Sequence, residues 1–251
     1  MALAREVDRR SRTTPSPARA RWILTQAALI IAAVVVYFGV RGLTAGTPQL
    51  AEEHAQRVVT VEQSLGLAFE STVQRPFADP GILQTLANWI YIWGHWPVII
   101  ATMIWLAIRH TDVLLRLRDA MVVSGAMGMV VFASFPVAPP RLAGLGLVDT
   151  VTETSKAYRI LQPPAFVNQY AAMPSLHAGW NLLVGMCLAS TAGSVLVRLF
   201  GYLLPVLMSI AVVVTANHYV LDVIVGILFV LVGQAAALWL ERRRRRPAKG
   251  G

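Results

Sequence analysis

Two residues in the C-terminal part of the chain, His218 and Asp222, have the types and spacing of a catalytic imidazole and the carboxylate that orients it. Both occur in NHYVLD, where a long apolar run begins, and on a helix their side chains would share one face. The carboxylate can hold one imidazole nitrogen protonated and leave the other nucleophilic. The pair predicts a nucleophilic histidine, and the alternative is a structural pair that joins two helices.

A second imidazole, His177, follows a proline and a hydroxyl in AAMPSLHAGW. Pro174 suits the first turn of a helix, where its missing N–H costs no hydrogen bond, so we expect Ser175 and His177 in that same turn. The start of a helix presents unpaired N–H groups, which bind anions such as phosphate. The stretch predicts one wall of a phosphate site, and the alternative is a helix start with a surface histidine.

Arg141, in FPVAPPRL, has a fork of N–H donors that suits phosphate oxygens. The two preceding residues, Pro139 and Pro140, favour a stiff, extended segment that would hold the guanidinium in place. The alternative for Arg141 is an arginine at the membrane interface that binds lipid headgroups.

These residues must be positioned by a very apolar chain. Of its 251 residues, 56% are hydrophobic and 14% are charged, which is typical of a membrane protein. Apolar runs close to the length of about 20 residues that crosses a bilayer occur six times. They predict an all-α, polytopic membrane bundle of six transmembrane helices, at residues 22–40, 82–108, 120–135, 173–190, 197–216 and 218–240. The single Cys187 excludes a disulfide framework within the chain.

The net charge of +9 is distributed as membrane orientation would distribute it. With both termini cytoplasmic, the inner side carries 16 of the 22 Lys and Arg residues and the outer side carries 6. We therefore expect a multi-pass protein of the cell membrane, an Arg-rich tail that favours anionic lipid, and no nucleic-acid partner. Counting spans from the inside places Arg141, His177 and His218 on the outer face, where they could share one site.

The chain is predicted to have three parts: a disordered, basic cytoplasmic lead at residues 1–21, the membrane domain at 22–240, and a basic cytoplasmic tail at 241–251. After the first span, EEHAQRVVTVEQSLGLAFE is typical either of a helix at the membrane interface or of a packing cap over the bundle. In the second span, Pro97 should produce a kink. His95 should face protein or a wet cavity there, because lipid would leave its polar atoms unpaired.

The three polar stretches, in this order, resemble the motifs of the type 2 phosphatidic acid phosphatase superfamily, six-helix membrane enzymes related to vanadium haloperoxidases. The superfamily's middle motif, Pro-Ser-Gly-His, matches Pro174, Ser175 and His177. Leu176 stands in place of the glycine, as in the inositol phosphorylceramide synthase-like, or inositolphosphotransferase, branch. The resemblance covers residues 85–235, which form the motif core of the membrane domain.

The last motif of the superfamily is only partly present. It reads Ser-Arg, five residues, His, three residues, Asp, and the chain matches it at His218 and Asp222. Ala211 and Val212 occupy the Ser and Arg positions.

The first motif, Lys, six residues, Arg-Pro, is reduced to Arg141, with Ser134 at the Lys position and Leu142 at the Pro position. Two cations of the superfamily's phosphate clamp are therefore absent, and compensation must come from elsewhere. The candidates are Arg75, His95, Lys156 and Arg159.

By this resemblance, His218 would attack phosphorus and form a phosphohistidine, with Asp222 orienting it. His177 would protonate the leaving oxygen and then activate the acceptor, water or an alcohol. Arg141, Ser175 and the first amides of the fourth span would stabilise the transition state. The sequence has no acidic cluster suited to magnesium, and the resemblance implies no metal and no cofactor.

The sequence and the resemblance together predict a metal-independent lipid phosphate phosphatase or phosphotransferase with its site on the outer face. Its partners would be membrane lipids, with a lipid phosphate or a prenyl diphosphate as substrate. Further candidate substrate contacts are His95, Tyr170 and Arg159. The alternative is a non-catalytic, polytopic lipid-binding or scaffold protein of the same fold, in which the polar pairs only join helices.

Overall fold

The computed structural model describes residues 17–43, 46–154 and 168–245. These residues form α-helices, one 3-10 turn at Pro140–Leu142 and no β-strand, so the all-α prediction is confirmed. In chain order the helices are α1 (Pro17–Leu43), α2 (Pro48–Leu65), α3 (Glu70–Ala78), α4 (Ile82–Trp93), α5 (Trp96–Arg109), α6 (Thr111–Ser134), α7 (Thr150–Thr154), α8 (Leu176–Thr191), α9 (Val195–Val214) and α10 (Val220–Arg245).

The chain divides into two compact units, Met1–Val36 and Tyr37–Gly251. Within the first, α1 begins at Pro17, inside the segment predicted to be a disordered lead, and the rest of that lead lies outside the described residues. Within the second, α10 continues to Arg245, past the predicted boundary at residue 240. The end of the predicted tail, residues 246–251, also lies outside the described residues.

Within the part of the chain that the structure describes, four helices are long and apolar enough to cross a membrane: α1, α6, α9 and α10. Helices α4 and α5 together pass the same test as one broken span, bent by 43°. Helix α8 corresponds in residue range to the predicted fourth span, but it has only 16 residues. About 20 residues are needed to cross a bilayer. The apolar helices are those of a multi-pass membrane protein, and the count of six spans stays a prediction.

The bend between α4 and α5 falls where the sequence predicts a kink. Pro97 occupies the first turn of α5 and has no N–H to continue a hydrogen-bond ladder from α4. His95 lies in the break and is buried, 3% exposed, as expected for an imidazole within an apolar span.

Helices α8 and α10 approach each other at the level of their backbones. A Cβ atom at Gly179 of α8 would lie 2.7 Å from the carbonyl oxygen of Gly226 in α10. A Cβ atom at Gly226 would in turn collide with the carbonyl group of Ser175. Only glycine permits this contact, which places the PSLH stretch against the first turns of α10.

Helix α2 covers a cluster of buried apolar residues with one of its faces. Ala51, Ala55 and Val58 are buried in a cluster that also contains Tyr219, which precedes α10. The helix ends at Leu65, and the C-cap residue Gly66 has a φ of 69°, which glycine readily adopts. Its apolar face therefore packs on protein, as the packing-cap alternative describes.

Candidate active site

His218 lies in the turn between α9 and α10, and two hydrogen-bond acceptors orient its imidazole. Its Nδ1 atom lies 2.7 Å from the carbonyl oxygen of Ala172 and 3.5 Å from Oδ2 of Asp222. A carbonyl oxygen only accepts hydrogen bonds, so Nδ1 donates and carries the proton. In the neutral ring the lone pair is then on Nε2, which is the state that a nucleophilic histidine requires.

Asp222 is fully buried and joins the starts of two helices. Its Oδ2 accepts the N–H of Tyr219 at 2.9 Å, and its backbone carbonyl accepts the N–H of Ser175 at 2.9 Å. The expectation that His218 and Asp222 share a helix face is wrong, because α10 begins only at Val220. His218 and Asp222 are close because the Asp222 carboxylate caps the start of α10, where it accepts the N–H of Tyr219 beside His218.

The start of α8 also differs from the prediction. Ser175 is the N-cap and Pro174 precedes it, so neither lies in the first turn. The buried Ser175 Oγ accepts the Ala178 N–H at 3.5 Å, and its own proton can still be donated. The N–H groups of Ser175 and Leu176 donate to the carbonyls of Asp222 and Pro174. Fewer amides than expected are therefore available to an incoming anion.

His177 is partly exposed and packs against two aromatic rings on α4 and in the break that follows it. Its ring centroid is 4.7 Å from Tyr91, with the planes 15° apart, and 4.1 Å from His95. The centroid of His218 lies 5.8 Å away. Two imidazoles from separate helix starts are thus close enough to act on one phosphorus centre and its oxygens.

Asn181, one turn after His177 on α8, connects His177 to His95. Its Nδ2 atom donates to the His177 carbonyl at 2.8 Å and lies 2.9 Å from His95 Nδ1. Because an amide N–H₂ only donates, Nδ1 of His95 accepts, and a proton on His95 belongs on Nε2. His95 is therefore held in one tautomer directly beside His177.

Arg141 is fixed next to the turn that carries His218. Its backbone N–H donates to the Ala216 carbonyl at 3.1 Å, and its Nη1 donates to Asn217 Oδ1 at 2.6 Å. Its Nε atom forms an ion pair with Asp149 Oδ2 at 3.0 Å. The guanidinium is largely buried and oriented by these two side chains, which fits a group that must meet a charged substrate at a fixed angle.

The other candidate contacts are distributed differently. Tyr170 packs against the apolar cluster covered by α2, and its carbonyl accepts the Val137 N–H at 2.7 Å. Arg75 is exposed in the last turn of α3. Arg159 and Lys156 lie outside the described residues. Among the predicted extra contacts that belong to the described residues, His95 is the one that lies against His177.

The motifs did not identify five groups of this site: the Ala172 carbonyl and the side chains of Tyr91, Asp149, Asn181 and Asn217. Three of the side chains carry a usable signal. Asn181 is four residues from His177, Asn217 is next to His218, and Asp149 is the first acidic residue after Arg141. A backbone carbonyl such as that of Ala172 has no residue-type signal.

The sequence model of the PAP2 superfamily matches residues 56–236, which is more than half of the chain. The chain belongs to the PAP2 superfamily. The comparisons with curated proteins and with solved structures gave no match. The PAP2 match contains every residue of the site described above and confirms the superfamily that the motifs predict, whereas the inositolphosphotransferase branch stays a prediction.

PAP2 proteins are generally phosphatases or phosphotransferases, and the apolar helices of this chain fit a membrane protein of that kind. Its departures from the PAP2 motifs are also clear in the structure. Ser134, at the Lys position, is exposed and donates to the Val130 carbonyl of its own helix at 2.7 Å. Ala211 and Val212, at the Ser and Arg positions, are buried apolar side chains.

Proposed function

We propose that this PAP2 protein is an integral-membrane lipid phosphate phosphatase or phosphotransferase that acts through a phosphohistidine on His218 and needs no metal. The observation that carries the proposal is the hydrogen bond from His218 Nδ1 to the Ala172 carbonyl, because it assigns the lone pair to Nε2. The neighbouring imidazole of His177 supplies a general acid and base.

The first step forms a P–N bond. Nε2 of His218 attacks phosphorus, the P–O bond to the lipid leaving group breaks, and protonated His177 gives its proton to the leaving oxygen. The phosphorylated ring is positively charged, and the Asp222 carboxylate and the Ala172 carbonyl stabilise it from the Nδ1 side.

The second step reverses the proton flow. His177, now neutral, takes a proton from water or an alcohol, whose oxygen attacks phosphorus. The P–N bond breaks and its electron pair returns to Nε2 of His218. Water gives a free phosphate, and an alcohol gives a new phosphate ester. The resemblance to the inositolphosphotransferase branch leaves both acceptors open.

Charge on the transferring phosphoryl group is compensated by fewer cations than the PAP2 motifs supply. We assign this role to the oriented guanidinium of Arg141, the hydroxyl proton of Ser175 and the imidazole of His95. His95 is supported by its position against His177 and by its fixed tautomer.

The substrate class follows from the setting of the site. The turn that carries His218 joins α9 and α10, which are both suited to hydrocarbon. We therefore assign as leaving group the alcohol of a membrane lipid phosphate, or the prenyl monophosphate released from a prenyl diphosphate. The excess of Lys and Arg on one side of the predicted spans favours cytoplasmic termini, and hence a site on the outer face of the cell membrane.

The test is phosphate release by detergent-solubilised protein from a panel of lipid phosphates and prenyl diphosphates, with a chelator present. His218→Ala should lower kcat at least about a thousandfold, and His177→Ala should come close to that loss. His110→Gln is the matched control, because this histidine lies between α5 and α6 beside Trp105 and should leave kcat unchanged.

Two further results separate the outcomes. Acid-labile label from ³²P-lipid should appear on the parent protein and be absent from His218→Ala. Adding inositol or glycerol should divert label from free phosphate to a new ester if an alcohol is the acceptor. Full activity in His218→Ala would reject the mechanism. An inactive parent whose His218→Ala variant only loses thermal stability would favour the scaffold alternative.

A further inference from the structure

Three carboxylates from three different helices accept hydrogen bonds from three consecutive backbone N–H groups at the start of α10. The N–H of Tyr219 donates to Asp222 at 2.9 Å, that of Val220 to Glu70 Oε1 at 3.2 Å, and that of Leu221 to Glu62 Oε1 at 2.7 Å. The first N–H groups of a helix have no partner within it, and carboxylates there are also favoured by the helix dipole. We call Glu62, Glu70 and Asp222 the carboxylate cap.

The carboxylate cap is buried and directly connected to His218. Glu62 and Asp222 are fully buried and Glu70 nearly so. The Asp222 oxygen that accepts the Tyr219 N–H is the same atom that lies 3.5 Å from His218 Nδ1. Among the described residues the cap does not have the arrangement of a metal site. Each of its three carboxylates accepts a backbone N–H at the start of α10.

Glu62 and Glu70 lie in the stretch between the first and second predicted spans, whose role the motifs leave unexplained. Glu62 lies on the face of α2 that also buries Ala51, Ala55 and Val58. The N–H of Ala138, in the loop before Arg141, donates to the carbonyl of Ala51 at 3.0 Å. Helix α2 is thus anchored on the core independently of its carboxylate. The Glu62 oxygen that accepts from α10 is therefore carried by a helix whose position its own packing fixes.

We propose that Glu62 and Glu70 are positioning residues for His218, which hold the first turn of α10 where Asp222 and the Ala172 carbonyl can orient the imidazole. The proposal rests on the proposed function for its catalytic consequence. Neither glutamate contacts the substrate in this scheme. They act through the backbone of residues 219–221, so their loss would lower turnover more than substrate binding.

The electrostatics of the cap give Glu62 a specific protonation state. Burial, with repulsion from Glu70 on α3 and Asp222 on α10, raises the pKa of Glu62 to about 8. Among the described residues, Tyr219 and His218 are further titratable groups that interact with the cap. At neutral pH Glu62 is therefore protonated, and its Oε1 still accepts from Leu221. Above pH 8 ionised Glu62 would add a negative charge to the cap, and repulsion from Glu70 and Asp222 would push the carboxylates apart.

The kinetic test compares Glu62→Ala, Glu62→Gln and Glu70→Gln with the matched control Glu53→Ala, an exposed glutamate on the same helix. At pH 6.5, Glu62→Ala should lower kcat about tenfold or more with KM changed less than twofold, because a small displacement of reacting groups is costly. Glu62→Gln keeps an acceptor oxygen and should stay within about twofold of the parent. Glu53→Ala should match the parent.

The pH dependence of kcat distinguishes a positioning role of Glu62 from a merely structural one, which would not change it. The ratio of kcat for Glu62→Gln to kcat for the parent should rise through pH 8, because glutamine cannot ionise. A ratio that stays flat from pH 6 to 9.5 overturns the proposal, as does a folded Glu62→Ala with kcat within twofold of the parent. If Glu62→Ala does not fold, the Glu62→Gln ratio decides.

A second measurement does not require activity. In ¹⁵N spectra of histidine-labelled protein, assigned with His218→Gln, the parent should show His218 protonated at Nδ1, and Glu62→Ala should show a mixture of tautomers. If the parent turns over no lipid phosphate but these spectra change, the proposed function fails and the positioning role stands. If the parent is active and neither kcat nor the spectra respond, the positioning role alone fails.

Discussion

The carbonyl oxygen of Ala172 lies 2.7 Å from Nδ1 of His218, closer than the Asp222 carboxylate at 3.5 Å. Ala172 is two residues before Pro174, so the segment that leads into α8 and presents His177 also fixes the tautomer of His218. His177 and His218 are therefore positioned by one junction, and any displacement of it changes both.

Asp222→Asn should lower kcat by about tenfold to a hundredfold, and less than His218→Ala. In triads where the carboxylate alone fixes the histidine, the same change costs more, because the wrong tautomer forms. Here the Ala172 carbonyl still holds Nδ1 protonated. Phosphate release by the solubilised variant checks this, with the exposed Asp112→Asn as control. A loss equal to that of His218→Ala would show that the carbonyl does not suffice.

Arg141→Lys should lower kcat/KM by about tenfold to a hundredfold, although the charge is kept. Lysine cannot bind Asn217 and Asp149 with one end and phosphate oxygens with the other, as the fork of Arg141 can. Arg75→Lys, at an exposed position, should leave kcat/KM unchanged. Equal activity of Arg141→Lys and the parent would remove Arg141 from the phosphate clamp.

Gly226→Ala should destabilise the protein by about 1–3 kcal/mol through overpacking between α8 and α10. The added Cβ atom would strike the carbonyl group of Ser175, and the two helix backbones would have to separate. Gly193→Ala is the control, since a Cβ atom there meets open space. Thermal unfolding in detergent should show a lower Tm for the first variant alone, and two equal Tm values would contradict the close approach.

The thermal stability of the parent should fall relative to Glu62→Gln as the pH rises from 5 to 8. The pKa of Glu62 is raised from 4.5 to about 8 by burial, so the folded protein keeps a proton that the unfolded chain releases within this window. Stability is therefore lost with rising pH, and the loss is complete above pH 8. Glutamine has no proton to release. A difference in Tm between the two proteins that is constant from pH 5 to 9 would contradict the buried, protonated Glu62.

The helices and the chemically important residue types could be predicted because their signals are local. Long apolar runs predict helices whatever their neighbours are, and α1, α6, α9 and α10 follow them. Helix boundaries were less predictable, since Ser175 and Asp222 act as caps through hydrogen bonds that a one-dimensional pattern does not contain. Because of these caps, α8 and α10 begin later than the sequence predicts, and His218 contacts Asp222 from a turn and not along a helix face.

Residue type and order are enough to identify an all-α, membrane-type PAP2 protein and its polar residues His177, His218, Asp222 and Arg141. The groups that orient these residues become visible only in the folded chain. The Ala172 carbonyl is invisible in a sequence, and the bond from Leu221 to Glu62 joins residues 159 positions apart. Such contacts depend on where the packing of α2 and α8 against α10 places backbone atoms, and no local pattern encodes that placement.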